Sequence, residues 1–159
     1  MSELIKKYES APALLASAIK GLSADDLHWK PPATAKPEVG KWSIQDVVIH
    51  LADADFAFAD RFKRIIASEN PVLHGWSEND FHAKLFYAEQ SVDDAVELVR
   101  LTHAQMMRVF RHLPGSSYTR SGTHSERGVQ TLTDVLTYAT WHLEHHVKFI
   151  QQKRNVIGK

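Results

Sequence analysis

Ten histidines and no cysteine in a 159-residue chain confine any metal chemistry to nitrogen and oxygen ligands. The densest run is Trp141-His142-Leu143-Glu144-His145-His146. Two histidines four apart on a helix stand one above the other and can share an ion. Spacing alone is a weak signal, because random scatter of this many histidines gives about 0.6 such pairs. Helix position carries more. With about 100° per residue and Leu132 and Ile150 marking the apolar centre, His146 falls about 40° and His142 about 80° away, on the same side. His145 and Glu144 fall about 140° and 120° away, toward solvent. Two inward imidazoles without partners are costly. An ion would satisfy both, given a third ligand from another helix.

His50 is the candidate for that ligand, at the border of another helical stripe. Asp53 and Asp55 follow it closely and are candidates to orient a ligating imidazole, as carboxylates often do around metals. Asp55 falls near the apolar centre of its segment, whereas Asp53 points outward. Tyr138, one turn before His142, is a further candidate. His28, His74, His82, His103, His112 and His124 lie in loops or on outer faces and are expected at the surface.

These residues need helices to aim them, and four long segments have apolar residues at helical spacing. The first runs from Leu4 to Leu22, with Pro12 predicting a kink or a restart capped by Ser10. The second opens at Ser43, where Asp46 completes a capping box and Trp42 is placed to staple onto Val47. It ends at Pro71. The third begins at Ser91 with Asp94 and stops at Pro114-Gly115. The fourth begins at Thr131 with Asp134 and carries the histidine run. Ser77 and Asp80 predict a short extra helix in the 71–90 connection, and 114–130 reads as an ordered loop or turn. No alternating strand pattern is visible. The expectation is an all-α four-helix bundle, one domain over residues 1–159. The 71–90 connection and the linker between the first two helices are long enough to permit crossovers.

Composition narrows the function classes. A hydrophobic share of 43% and a charged share of 24% are those of an ordinary globule. Basic and acidic residues balance at 19 each, whereas nucleic-acid binders usually show a basic excess. No run approaches the roughly 20 apolar residues of a membrane span, and the N-terminus lacks a signal-peptide pattern. The reading is a cytoplasmic protein that binds neither nucleic acid nor membrane.

Two segments then resemble a known family. Lys41-Trp42-Ser43-Ile44-Gln45-Asp46-Val47-Val48-Ile49-His50-Leu51-Ala52-Asp53 is similar to the W-S/T-x-x-x-V-x-x-H-L-x-D segment of the DinB/YfiT-like family. Thr131-Leu132-Thr133-Asp134 and Trp141-His142-Leu143-Glu144-His145-His146 resemble its T-L-x-D … W-H-x-x-H-H segment. The resemblance implies a four-helix bundle holding one divalent metal ion through His50, His142 and His146, often as a homodimer. Zinc and nickel are the expected ions. Family members include metal-dependent hydrolases and proteins that transfer low-molecular-weight thiols.

Three protein ligands with a position left open is the pattern of a catalytic metal site. The leading expectation is hydrolysis of a small molecule. The alternatives are thiol transfer, with the thiol supplied as a cosubstrate, and a non-catalytic dimeric bundle that metal stabilises.

Overall fold

The computed structural model describes residues 1–159. Its long helices are α1 (Ser2–Ile19), α3 (Ile44–Ala67), α5 (Val92–Phe110) and α6 (Leu132–Val156), with short helices α2 (Ala24–His28) and α4 (Glu78–Lys84) in the connections. Each long helix packs on two others: α1 on α5 and α6, α3 on α5 and α6. Helices α1 and α3 therefore lie across one diagonal, α5 and α6 across the other. Asp55 meets His103 while Phe62 meets Phe110, so α3 and α5 are parallel. His50 meets His146 while Phe58 meets Tyr138, so α6 opposes α3. Arg154 near the end of α6 reaches Ala18 and Lys20 at the end of α1, so those two helices are parallel. The four helices thus run up, down, down, up. Parallel neighbours α3 and α5 require an overhand connection along the bundle, which is residues 68–91. The length of the 71–90 connection permits this crossover, and α4 is the short extra helix expected within it.

Capping follows the sequence closely. Ser43 with Asp46 and Thr131 with Asp134 form reciprocal boxes at the starts of α3 and α6. Each box satisfies backbone donors that the first turn leaves free, worth about 1 kcal/mol. Ser77 and Ser91 cap α4 and α5 through the side chain alone. Arg154 of α6 donates to the carbonyls of Ala18 and Lys20, closing the end of α1.

Pro12 neither breaks α1 nor restarts it. The helix is continuous from Ser2 to Ile19, and the Ser10 hydroxyl donates to Lys7 O. Proline lacks the N–H that would bond the carbonyl four residues back. That carbonyl belongs to Tyr8, and it accepts instead from His103 Nδ1 at 2.8 Å. A histidine expected at the surface is thus buried where it replaces the missing donor.

The 114–130 loop holds strands that the sequence does not announce. A sheet of order β1-β2-β3 joins β1 (Val72–Leu73), β2 (Ser121–His124) and β3 (Gly128–Thr131), with β1 parallel to β2 and β2 antiparallel to β3. At two to four residues these strands are too short to display alternation. The sheet ties the overhand connection to the α5–α6 connection at Gly122. A Cβ there would sit 2.8 Å from Pro71 O and 3.0 Å from the Leu73 side chain. Gly122→Ala should therefore cost about 1–3 kcal/mol by overpacking, measurable as a lower urea midpoint. An unchanged midpoint would show that the sheet yields freely.

Two apolar clusters fill the bundle, one around Leu15, Val48, Val99 and Ile150, the other around Phe62, Met106, Phe110 and Leu136. Each fully buried aliphatic or aromatic side chain contributes roughly 1.5–3 kcal/mol. Between the clusters lies a polar layer of buried His50, Asp55, His103 and His142. No helix is long and apolar enough to cross a membrane.

Candidate metal centre

Helix α3 supplies His50 to this layer and α6 supplies His142 and His146. The His50 Nε2 lies 3.3 Å from His142 Nε2, and one ligand atom from each of the three rings falls within 4.8 Å of the others. Ring centroids are separated by 5.1 Å (His50–His142), 4.6 Å (His50–His146) and 4.5 Å (His142–His146). The α6 pair meets because its side chains are one turn apart on one helix face. His50 meets them because α3 and α6 pack directly.

Aromatic rings surround the three histidines. Trp42 presents its edge to His50 at 5.1 Å and Trp76 tilts over it at 5.5 Å. Phe58 meets His142 at 5.6 Å, and Phe149 lies 5.9 Å from His146. This apolar wall disfavours the charged imidazolium. Burial lowers the His50 pKa to about 4. Burial again, then the charges of His50 and His145, takes His142 to about 3, and burial with His142 and His50 takes His146 to about 2. All three rings are neutral at pH 7. That is the form in which imidazole ligates.

The cluster cannot satisfy itself. His50 Nε2 and His142 Nε2 can share one proton, but the Nδ1 atoms of His50 and His146 are buried without any partner. A half-satisfied buried polar network is unfavourable. Three converging neutral nitrogen donors fit a divalent ion.

The other expected residues divide. His145 is half-buried and stacked on Trp141 at 4.7 Å, outside the cluster. His142 is more buried than His146, the reverse of the angular reading, because Phe58 and Tyr138 cover it. Asp53 accepts from the Tyr87 hydroxyl at 2.5 Å, and Asp55 faces His103 Nε2 at 2.9 Å. Both carboxylates are engaged away from the three histidines. Tyr138 lies 5.9 Å from His142. Among the histidines expected at the surface, His28, His74 and His112 are exposed. His103 and His124 are buried, and His82 stacks half-buried on Trp42 at 4.9 Å.

A narrow cleft opens beside His142, with a volume of about 70 Å³, between Trp76, Arg61, His124, Arg127 and Tyr138. Glu78, at the start of α4, brings a half-exposed carboxylate to 3.9 Å from His50 Nε2. None of Arg61, Trp76, Glu78, His124 or Arg127 stood out in the sequence. Four come from connections without periodicity, and Arg61 reads as one charge on an amphipathic helix.

The sequence matches the DinB superfamily over residues 7–150. The chain belongs to that superfamily. It is 25% identical over 150 residues to a protein of Oceanobacillus iheyensis named "Putative metal-dependent hydrolase", covering 94% of this chain and 83% of that protein. A Bacillus mycoides protein of the same name is 26% identical with the same coverage. Among solved structures, YfiT from Bacillus subtilis superposes with a TM-score of 0.88 at 23% identity, covering 99% of this chain and 87% of YfiT. YfiT is described as a probable metal-dependent hydrolase with an unusual four-helix bundle topology. That likeness shows the four-helix bundle fold in this chain.

Proposed function

We propose that this protein is a metal-dependent hydrolase of a small molecule, with His50, His142 and His146 holding one divalent ion. The observation that carries the reading is three converging neutral imidazoles, two with an unpartnered buried nitrogen and the third, His142, on the wall of a cleft. The relatives' names point the same way. Zinc and nickel both suit an all-imidazole donor set. An ion held there supplies Lewis acidity, polarising a substrate oxygen and acidifying water.

The chain's own residues supply the rest. Trp42, Trp76 and Phe58 exclude bulk water, which strengthens every electrostatic interaction inside. Glu78 is the nearest carboxylate and stays half-exposed, so its Oε2 can take a proton from water entering the cleft and pass it to solvent. The Tyr138 hydroxyl accepts from Arg127 at 3.3 Å, leaving its own proton to donate toward a substrate oxygen.

Protein reconstituted with zinc or nickel should hydrolyse members of an ester and amide panel, and chelation should remove that turnover. Glu78→Gln should lower kcat by roughly 10²-fold or more while metal content stays unchanged, since general-base assistance contributes about 10²–10⁴. Turnover that appears only with added thiol would replace hydrolysis by thiol transfer. Silence in both panels, with a melting temperature that collapses on chelation, would leave a metal-stabilised bundle.

A further inference from the structure

Arg61 is the most anomalous charge in the molecule. It sits on α3 at 5% exposure, on the wall of the cleft beside His142. Its Nη2 donates to the neutral carbonyl of His74 at 2.8 Å, and its Nε is buried with no acceptor. No carboxylate lies within the 4.0 Å of an ion pair; buried Asp46 and Asp55 have basic partners, and Lys153, which like Arg61 meets only a carbonyl, leaves no buried donor unpaired. Buried charges are normally paired, because desolvation is otherwise uncompensated.

A second guanidinium aggravates the imbalance. Arg127, from the β2–β3 turn, lines the same cleft, lies over the Tyr138 ring at 4.5 Å and also has no ion pair. Burial first, then the charge of Arg127, lowers the Arg61 pKa, while Tyr138, Asp60 and Glu126 oppose the shift more weakly. Glu78 and Glu126 border the cleft, but neither reaches within 4.0 Å of either guanidinium. Paired guanidinium groups at a concave, partly desolvated surface match the planar oxygens of carboxylate or the oxygens of phosphate.

We propose that Arg61 and Arg127 form an oxyanion subsite beside His142, which selects a small substrate carrying a carboxylate or phosphate group next to its reactive bond. The placement next to the reactive bond rests on the metal reading above. The subsite itself does not, because neither arginine has a carboxylate within ion-pair distance and the buried Arg61 Nε has no acceptor, whether or not an ion is bound. The acidic group would dock first, on Arg127 at the rim and Arg61 in the wall. It would thereby orient the remainder of the substrate toward the three histidines, the positioning role that arginine clamps serve.

The test uses the full chain freed of metal by dialysis, titrated separately with sodium acetate and with inorganic phosphate. Sodium chloride holds ionic strength constant, and binding is read from intrinsic tryptophan fluorescence, Trp76 lying on the cleft wall, and from melting temperature. Saturable binding is expected in the wild type. Arg127→Met and Arg61→Lys should each weaken it at least tenfold. Arg127 is exposed, so its variant keeps the test sound if the Arg61 variant folds poorly. Response to acetate alone assigns a carboxylate, response to phosphate alone a phosphate, and response to both a general oxyanion site. No effect beyond sodium chloride, or wild-type binding in Arg127→Met, overturns the subsite. Zinc stoichiometry measured on the same preparations reports separately on the metal reading, which can fail while the anion titration succeeds.

Discussion

Alanine in place of His142 should eliminate stoichiometric zinc binding, and alanine in place of His145 should leave it intact. The two residues are close in sequence but opposite in placement. His142 lies within the three-nitrogen cluster, whereas His145 is stacked on Trp141 outside it. Loss of one of three ligands should cost more than the roughly 10–100-fold that loss of an outer-shell partner costs. His50→Ala and His146→Ala should behave as His142→Ala does. Stability should follow the metal. At free zinc about a thousandfold above the dissociation constant, binding adds about 4 kcal/mol to the folded state. For a domain of this size that is a rise of roughly 8–16 °C in melting temperature. Metal analysis and thermal melts of untagged protein decide the matter. A wild-type stoichiometry near zero, or equal loss in His145→Ala, would sink the site.

Four-helix periodicity, caps and the metal candidates were legible because each is written locally. Ser43-Asp46 and Thr131-Asp134 lie three residues apart, and the α6 pair four apart, so a linear reading sees both. His50 emerged as a boundary residue, and the direct packing of α3 on α6 places it opposite that pair. What stayed hidden is whatever long-range contact decides. His103 looked like a surface residue because its role depends on Pro12 leaving Tyr8 O unpaired on another helix. Asp55 was legible as a buried polar group, but its partner is His103, 48 residues away. Arg61 and Arg127 are 66 positions apart, and only the overhand connection and the β2–β3 turn bring them into one cleft. Short strands escaped because pairing partners, rather than alternation, define them.

Acid should unfold the metal-free protein steeply between about pH 6 and 4.5, well above the range in which carboxylates titrate. The native pKa values are about 4 for His50, about 3 for His142 and about 2 for His146, against about 6.5 in an unfolded chain. Below pH 6.5 the unfolded state therefore takes up protons that the native state refuses, so stability falls as pH falls. The slope reaches at most about 1.4 kcal/mol per pH unit for each histidine, or about 4 for the three together. Two units of acidification below pH 6.5 thus remove about 8 kcal/mol, enough to unfold a domain in the lower half of the usual range of roughly 5–15 kcal/mol. His124, whose pKa is also lowered by burial and by Arg61, adds to the trend. Burial raises the pKa of Asp53, which opposes the trend only close to the carboxylate range. Urea midpoints at pH 7, 6 and 5 measure the slope directly, and His146→Gln should remove about a third of it. Bound zinc should shift the transition to lower pH, because an ion held by neutral imidazoles stabilises only the folded state. Midpoints that stay flat from pH 7 to 5 would mean that the three rings take up protons in the native protein as readily as in the unfolded chain, and that burial does not hold them neutral.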